Sequence, residues 1–262
     1  MKNILTLLLL LCLAVSVSGA LLFDADSDAL THANSSTYDS IGDTGTTCLW
    51  IYPTDDTARQ ALFIRSDLGN TYYEGNWRAD LGGDNFEFDR QRATTDIYVA
   101  AAAANFANYG LNKWIFVCTV FDVAGAASDQ KILIGDLDSP VAEPSAYASQ
   151  DAGSGAASTT WGTNPFYIGS TTNTTREFHG RVAFAIVTNT ALTLDQMTSL
   201  QWFPRPIPGT VLCAHYGFPD TTSVDCTGNA VTITPTGLTN TDHVPLGNLF
   251  GMLKPVAFDY GG

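Results

Sequence analysis

Basic residues are few in this chain, with 12 Lys and Arg against 26 Asp and Glu in 262 residues, a formal charge of −14. So acidic a surface repels phosphate backbones and anionic headgroups, which excludes nucleic acid and, in the mature form, membrane surfaces as partners. Glutamate is scarcer still, only Glu74, Glu87, Glu143 and Glu177, and the other acids are all aspartate. Asp bonds local backbone in turns whereas Glu favours helices, so many loops and few helices follow. The four histidines (His32, His179, His215 and His243) are scattered, with no Gly-x-Ser-x-Gly turn, His-Glu-x-x-His, Cys-x-x-Cys or Gly-rich phosphate loop. No nucleophile triad, zinc site or nucleotide cradle is therefore readable.

Long apolar runs are missing too, apart from one. Ile4 to Val15 follows Lys2 and ends in the small residues Ser16, Val17, Ser18, Gly19 and Ala20. One positive charge, an apolar stretch shorter than a membrane span and a small-residue cleavage site read as a secretory signal over 1–19. A secreted, extracellular protein is expected, retention of the segment as an anchor being the alternative. Cleavage leaves Cys48, Cys118, Cys213 and Cys226, an even number that suggests disulfides in an oxidising compartment. Cys213 and Cys226 flank the turn-rich Pro219 to Ser223 and are the first pair expected. Cys48 and Cys118 both sit inside apolar strands, where they either bridge, if the strands adjoin, or remain buried thiols.

What is present is strand after strand. Thr46 to Tyr52, Ala61 to Arg65, Phe86 to Arg90, Lys113 to Val120, Lys131 to Asp136, Phe166 to Gly169 and Phe178 to Val187 are short β-rich runs punctuated by turn clusters. Along one of them Trp114, Phe116 and Cys118 alternate with Ile115, Val117 and Thr119, so both faces are largely apolar and the strand is expected to be covered on two sides. The alanine run Ala100 to Ala104 invites a helix by propensity, but it follows the strand-like Thr94 to Val99, and strand followed by loop is expected. One helix is predicted over Thr193 to Leu200, where Thr193 and Gln196 form a capping box. Ser139 to Asn164, rich in Ser, Ala and Gly, reads as a long loop.

This order of strands, closed by Ala191 to Met197, resembles the C-terminal half of a LamG-like jelly roll of the concanavalin A-like lectin and glucanase superfamily. The resemblance runs from about Leu22 to Phe218, roughly three quarters of the chain. It implies an all-β fold: a two-sheet antiparallel jelly-roll sandwich with one short helix. The domain expected is 20–218, with 219–262 a C-terminal extension read as an irregular tail.

Glucanases of that superfamily resemble one another in Glu-x-Asp-x-Glu on one strand, whose period of two aims three carboxylates into one cleft. Here Glu87-Phe88-Asp89-Arg90-Gln91 ends in an amide that cannot serve as the acid, so no catalysis by that mechanism is expected. The plainer reading places Phe86 and Phe88 inward with Glu87 and Asp89 outward. Binding is the better lead, because sugar rings stack their C–H faces on aromatics while hydroxyls need polar partners. Tyr72, Tyr73 and Trp77 in a polar segment, with Trp161 and Asn164 at the end of the long loop, are the carbohydrate-binding candidates; alternation would equally turn Tyr73 and Trp77 into the core. The resemblance also implies calcium at rim loops, and Asp136 and Asp138 place two carboxylates on one side of an extended segment. Asp24, Asp26 and Asp28 form a second acidic cluster without the rest of an EF-hand loop.

The function expected is non-catalytic, lectin-like binding of an extracellular glycan or surface polymer. The alternatives are a structural or adhesion protein of a virion or extracellular assembly, self-associating through the extension, and a glycoside hydrolase using an unrecognised acid pair.

Overall fold

Period-two alternation of large apolar residues can be satisfied only by burying one face of each strand, and here it builds two facing sheets. A computed structural model describes residues 20–25, 28–55, 58–66, 72–78, 85–102, 109–156, 164–170, 176–216, 224–228 and 231–241. Sixteen strands, numbered in chain order, are described. The first sheet runs β14 (Val224–Asp225), β13 (Thr210–His215), β12 (Gly180–Thr188), β3 (Thr44–Pro53), β8 (Ile115–Asp122) and β9 (Lys131–Asp136), with β1 (Ala20–Phe23) joining β12 to β16 (Thr239–Thr241). The second runs β10 (Tyr147–Asp151), β7 (Ile97–Ala101), β6 (Asn85–Arg90), β5 (Tyr72–Arg78), β4 (Gln60–Ser66), β11 (Phe166–Ile168), β2 (Ala29–His32) and β15 (Ile233–Thr236). Neighbours pair antiparallel throughout, giving the all-β sandwich expected from the sequence.

Between the sheets lies an aromatic core in which Phe63 stacks on Phe166, Tyr73 meets Phe88 and Phe121 edge-on, and Trp77 meets Phe86 edge-on. Tyr73 closes the layer with a hydroxyl hydrogen bond to Thr47 on the facing sheet. Gly75 lies where any Cβ would enter the Phe63 ring.

The first sheet is buried on its other face as well. Ile115 and Val117 belong to the inner core, while Trp114, Phe116 and Cys118 join a second cluster with Trp50, Met197 and Leu200. That cluster is roofed by α1 (Leu194–Trp202), capped as expected by Thr193, whose hydroxyl accepts from the Gln196 N–H while the Gln196 side chain accepts from Thr193 N–H. Gln201 ties the roof down. Its carbonyl accepts the Trp50 indole N–H at 3.0 Å, and its buried amide accepts from Val141 and donates to the carbonyls of Asp136 and Ser139.

Both cysteine pairs are bridged. Cys48 and Cys118 stand opposite one another on β3 and β8 with Cα atoms 4.1 Å apart, and Cys213–Cys226 fastens β14 to β13. Two expectations are corrected. The stretch read as a loop over Ser139 to Asn164 contains β10, an edge strand whose alternation is masked by Ser, Ala and Gln. The extension is no irregular tail over its described part: β14, β15 and β16 pair with β13, β2 and β1, so the fold does not stop at residue 218. The alanine run does enter a strand, β7, as far as Ala101. Among the described residues no helix is long and apolar enough to cross a membrane, and the proposed signal at 1–19 lies outside them.

Gly75→Ala should destabilise the protein by about 2 kcal/mol or more, because the added methyl must displace Phe63 in a packed layer; the midpoint of urea unfolding measures it. Ending the chain after Phe218 deletes three strands and the partner of Cys213, and should lower that midpoint by the equivalent of about 3 kcal/mol from the lost 13-residue link alone. A mere appendage would leave it unchanged.

Candidate functional site

The alternation that fills the core decides which side chains remain for chemistry. Tyr73 and Trp77 are both fully buried in the inner core, which removes them as a sugar-stacking platform: β5 must turn 73, 75 and 77 inward to meet Phe63, Phe86 and Phe88. The side chain of Tyr72 and all of Trp161 lie outside the described residues. Asn164 is half-buried, and its main-chain carbonyl accepts from Arg65 Nε at 3.4 Å.

The acidic clusters serve their own turns. Asp136 Oδ1 accepts the N–H groups of Asp138 and Ser139 at 2.8 and 2.6 Å, and Asp138 is exposed. Asp28 is buried, with Oδ2 accepting from the N–H groups of Asp24 and Ala25, while Asp26 lies outside the described residues. Among the described residues no group of three or more His, Cys, Asp or Glu side chains is placed to hold a metal ion, so Asp136 and Asp138 do not fit a calcium site by themselves.

On the outer face of the second sheet, cross-strand register brings together residues that are remote in the chain. Asp151 on β10 stands opposite Tyr98 on β7, Tyr98 opposite Asp89, Asp89 opposite Glu74, Glu74 opposite Ile64, Ile64 opposite Tyr167 and Tyr167 opposite Thr31. One transverse row thus carries two half-buried tyrosines with two carboxyl groups between them. Beside it runs a second row, in which Glu87 is opposite Ala100 on one side and Asn76 on the other.

The carboxyl groups are gripped unequally. Glu74 receives Arg59 at 2.9 Å and a two-pronged contact from Arg176 at 3.1 and 3.2 Å. Arg59 also reaches Glu87 at 3.4 Å, and the Tyr98 hydroxyl donates to the other Glu87 oxygen. Asn76 is wholly buried. It donates from Nδ2 to Glu74 at 3.1 Å, while its Oδ1 has no hydrogen-bond partner among the described residues. Asp89 takes neither arginine among the described residues. Burial first, then the nearby Glu74 and Asp96, push its carboxyl up to about 7, with Arg59 opposing and Glu87 adding to the rise. The two arginines keep about a quarter of their side chains exposed, so guanidinium edges, a carboxyl group and two phenol rings face solvent together.

At the rim, His179 Nδ1 lies 3.2 Å from Asp55, and the His179 N–H donates to Gln60.

Neither a family model nor a curated relative matches the chain. Among solved structures the fold is similar to that of a Bacteroides ovatus protein assigned a carbohydrate-binding role, with TM-score 0.59, 17% identity and coverage of 87% of this chain and 60% of that one. It is also similar to the heptameric SAP-like pentraxin of Limulus polyphemus, with TM-score 0.50, 12% identity and coverage of 86% and 95%. This chain thus spans 60% of the length of the first. At such identities the likeness is one of fold: a jelly-roll sandwich, without singling out the LamG-like branch.

Sequence reasoning rightly set Glu87 and Asp89 on the face opposite Phe86 and Phe88, but it did not expect Glu87 to be 1% exposed. It passed over Glu74 and Asn76 because attention fell on the aromatics between which they alternate. Two of only four glutamates, Glu87 between Phe86 and Phe88 and Glu74 directly after Tyr73, were the available signal.

Trp77→Ala should cost about 3–5 kcal/mol of stability. The fraction that remains folded should keep whatever binding the outer face supports, which thermal unfolding and a binding assay on one preparation separate.

Proposed function

We propose that this protein is a non-catalytic glycan-binding domain, exported to an extracellular setting, whose binding surface is the outer face of the second sheet. The observation that carries the reading is the transverse row from Tyr98 through Asp89 and Glu74 to Tyr167. Phenol rings at its two ends offer faces for sugar C–H groups, and the exposed guanidinium edges and the Asp89 carboxyl group between them offer polar partners for hydroxyls. Tyr98 and Tyr167 are separated by four strand spacings, about 19 Å, so an oligosaccharide rather than a single sugar is the natural occupant. The carbohydrate-binding role assigned to the similar Bacteroides ovatus protein supports the same reading, and two disulfides suit an oxidising compartment.

Assembly through the extension loses part of its basis, since 224–228 and 231–241 are engaged within the domain's own sheets. Hydrolysis is disfavoured because the third position of the glucanase pattern is Gln91.

A glycan array should show binding to extended oligosaccharides. Tyr98→Ala and Tyr167→Ala should each weaken it about tenfold, in line with ~1–2 kcal/mol for a lost ring contact; Tyr167→Ala should keep an unfolding midpoint close to the parent's, whereas Tyr98→Ala should also lower it, because the buried Glu87 loses its hydroxyl donor. Binding should survive chelation, since the row needs no cation. Loss with EDTA would restore calcium to the account, and release of reducing ends from a bound glycan would replace binding by hydrolysis.

A further inference from the structure

Glu74, Glu87 and Asp89 stand together at the centre of this face with two guanidiniums, and both guanidiniums are committed to Glu74 and Glu87. Asp89 stands directly across the ladder from Glu74 and two residues along β6 from Glu87. Side chains so paired lie about 5 Å apart at Cβ, and like charges placed there repel. The groups facing Asp89 are Glu74 from β5, Glu87 from its own strand, Tyr98 from β7 with Asp96 just before it, Arg59 just before β4, and, one strand beyond Tyr98, Asp151 of β10. Arg176 is turned to Glu74. Carboxylates therefore outnumber cations around Asp89, which is partly exposed and has no ion pair of its own among the described residues.

We propose that Asp89 is the specificity-determining group of this face, a carboxylic acid that donates its proton in a hydrogen bond to a glycan oxygen, so that the face holds its ligand while Asp89 is protonated and loosens it on ionisation. The inference rests on the glycan-binding reading and adds to it the donor and its direction. Proton loss does two things at once. The O–H donor becomes an acceptor, and a negative charge with no ion pair among the described residues arises beside the paired Glu74 and Glu87, which repels acidic sugars most. The sign follows: binding is strong on the acid side of the Asp89 midpoint and falls as pH rises through about 7.

The test takes a glycan found on the array and measures its Kd by calorimetry at about pH 5.5 and about pH 8.5, either side of that midpoint. The parent should lose affinity about tenfold across the interval, the equivalent of one hydrogen bond to the ligand. Asp89→Asn, an isosteric donor that does not titrate, should bind with nearly the same Kd at both values. A carbon-13 titration of the Asp89 carboxyl in the ligand-free protein supplies a readout that needs no glycan, and its midpoint should lie near neutrality. Equal binding by the parent at both pH values, a pH dependence that persists in Asp89→Asn, or a carboxyl titrating near 4 would overturn the role of Asp89 and leave the glycan-binding reading standing. Failure of any glycan to bind at either pH would overturn that reading, and this inference with it.

Discussion

The aromatic layer between the sheets is the constraint from which the rest follows. Phe63, Tyr73, Trp77, Phe86, Phe88 and Phe166 all have to face inward, and Gly75 has to be bare so that Phe63 can lie over it. A strand has only two faces. Once these residues are committed, Glu74, Asn76, Glu87, Asp89 and Tyr167 are turned outward with no further choice. The polar row is thus the obverse of the core, and its geometry is as rigid as the ladder of β4, β5, β6 and β7 that carries it.

Rigidity of that kind is costly to charge. Glu74 and Glu87 are almost wholly removed from water, and burying carboxylates is unfavourable unless hydrogen bonds and counter-charges replace the solvent. Arg59, Arg176, Tyr98 and Asn76 supply those replacements to two carboxylates and not to the third. An apolar patch of the same volume would stabilise the sheet at least as well, so stability alone does not account for the arrangement. Fixed, oriented donors and acceptors at a surface are what recognition of a polyhydroxylated ligand requires.

Much of this was legible in the residues. Alternation along Trp114 to Val120 showed a strand covered on both sides, and the two hydrophobic clusters flanking β8 realise it. The Thr193–Gln196 box located the helix start, and spacing paired Cys213 with Cys226. What stayed hidden was register. Nothing in the chain says that Glu74 will stand opposite Asp89 or that Tyr167, some ninety positions from Glu74, will end the same row, because cross-strand pairing is fixed by packing between distant segments. The tyrosine and tryptophan of β5 misled for a related reason: polar neighbours at alternate positions mark a binding loop and a half-buried strand equally well. β10 and the strands after residue 218 escaped because edge strands need little apolar surface, and their Ser, Thr, Gln and Asn residues leave no hydrophobic period to read.

The two outer faces differ in what covers them. The first sheet presents Trp50, Phe116, Ala183, Phe184 and Ile186 outward, and α1 with its preceding loop covers them, pinned by the Trp50–Gln201 bond. The second sheet has no described helix over it. Its buried carboxylates, Glu74 and Glu87, are satisfied by Arg59, Arg176, Tyr98 and Asn76, and the partly exposed Asp89, guanidinium edges and phenols are open to water or to a hydroxylated ligand. Exchange of water for ligand at such groups is nearly balanced in hydrogen bonds, so affinity has to come from ring contacts and from donors that water matches poorly. A neutral carboxylic acid set among carboxylates is such a donor. Burial first, and then the repulsion from Glu74 and Asp96 that ionisation would meet, hold the proton on Asp89, so the packing that buries this row also sets the donor at its surface.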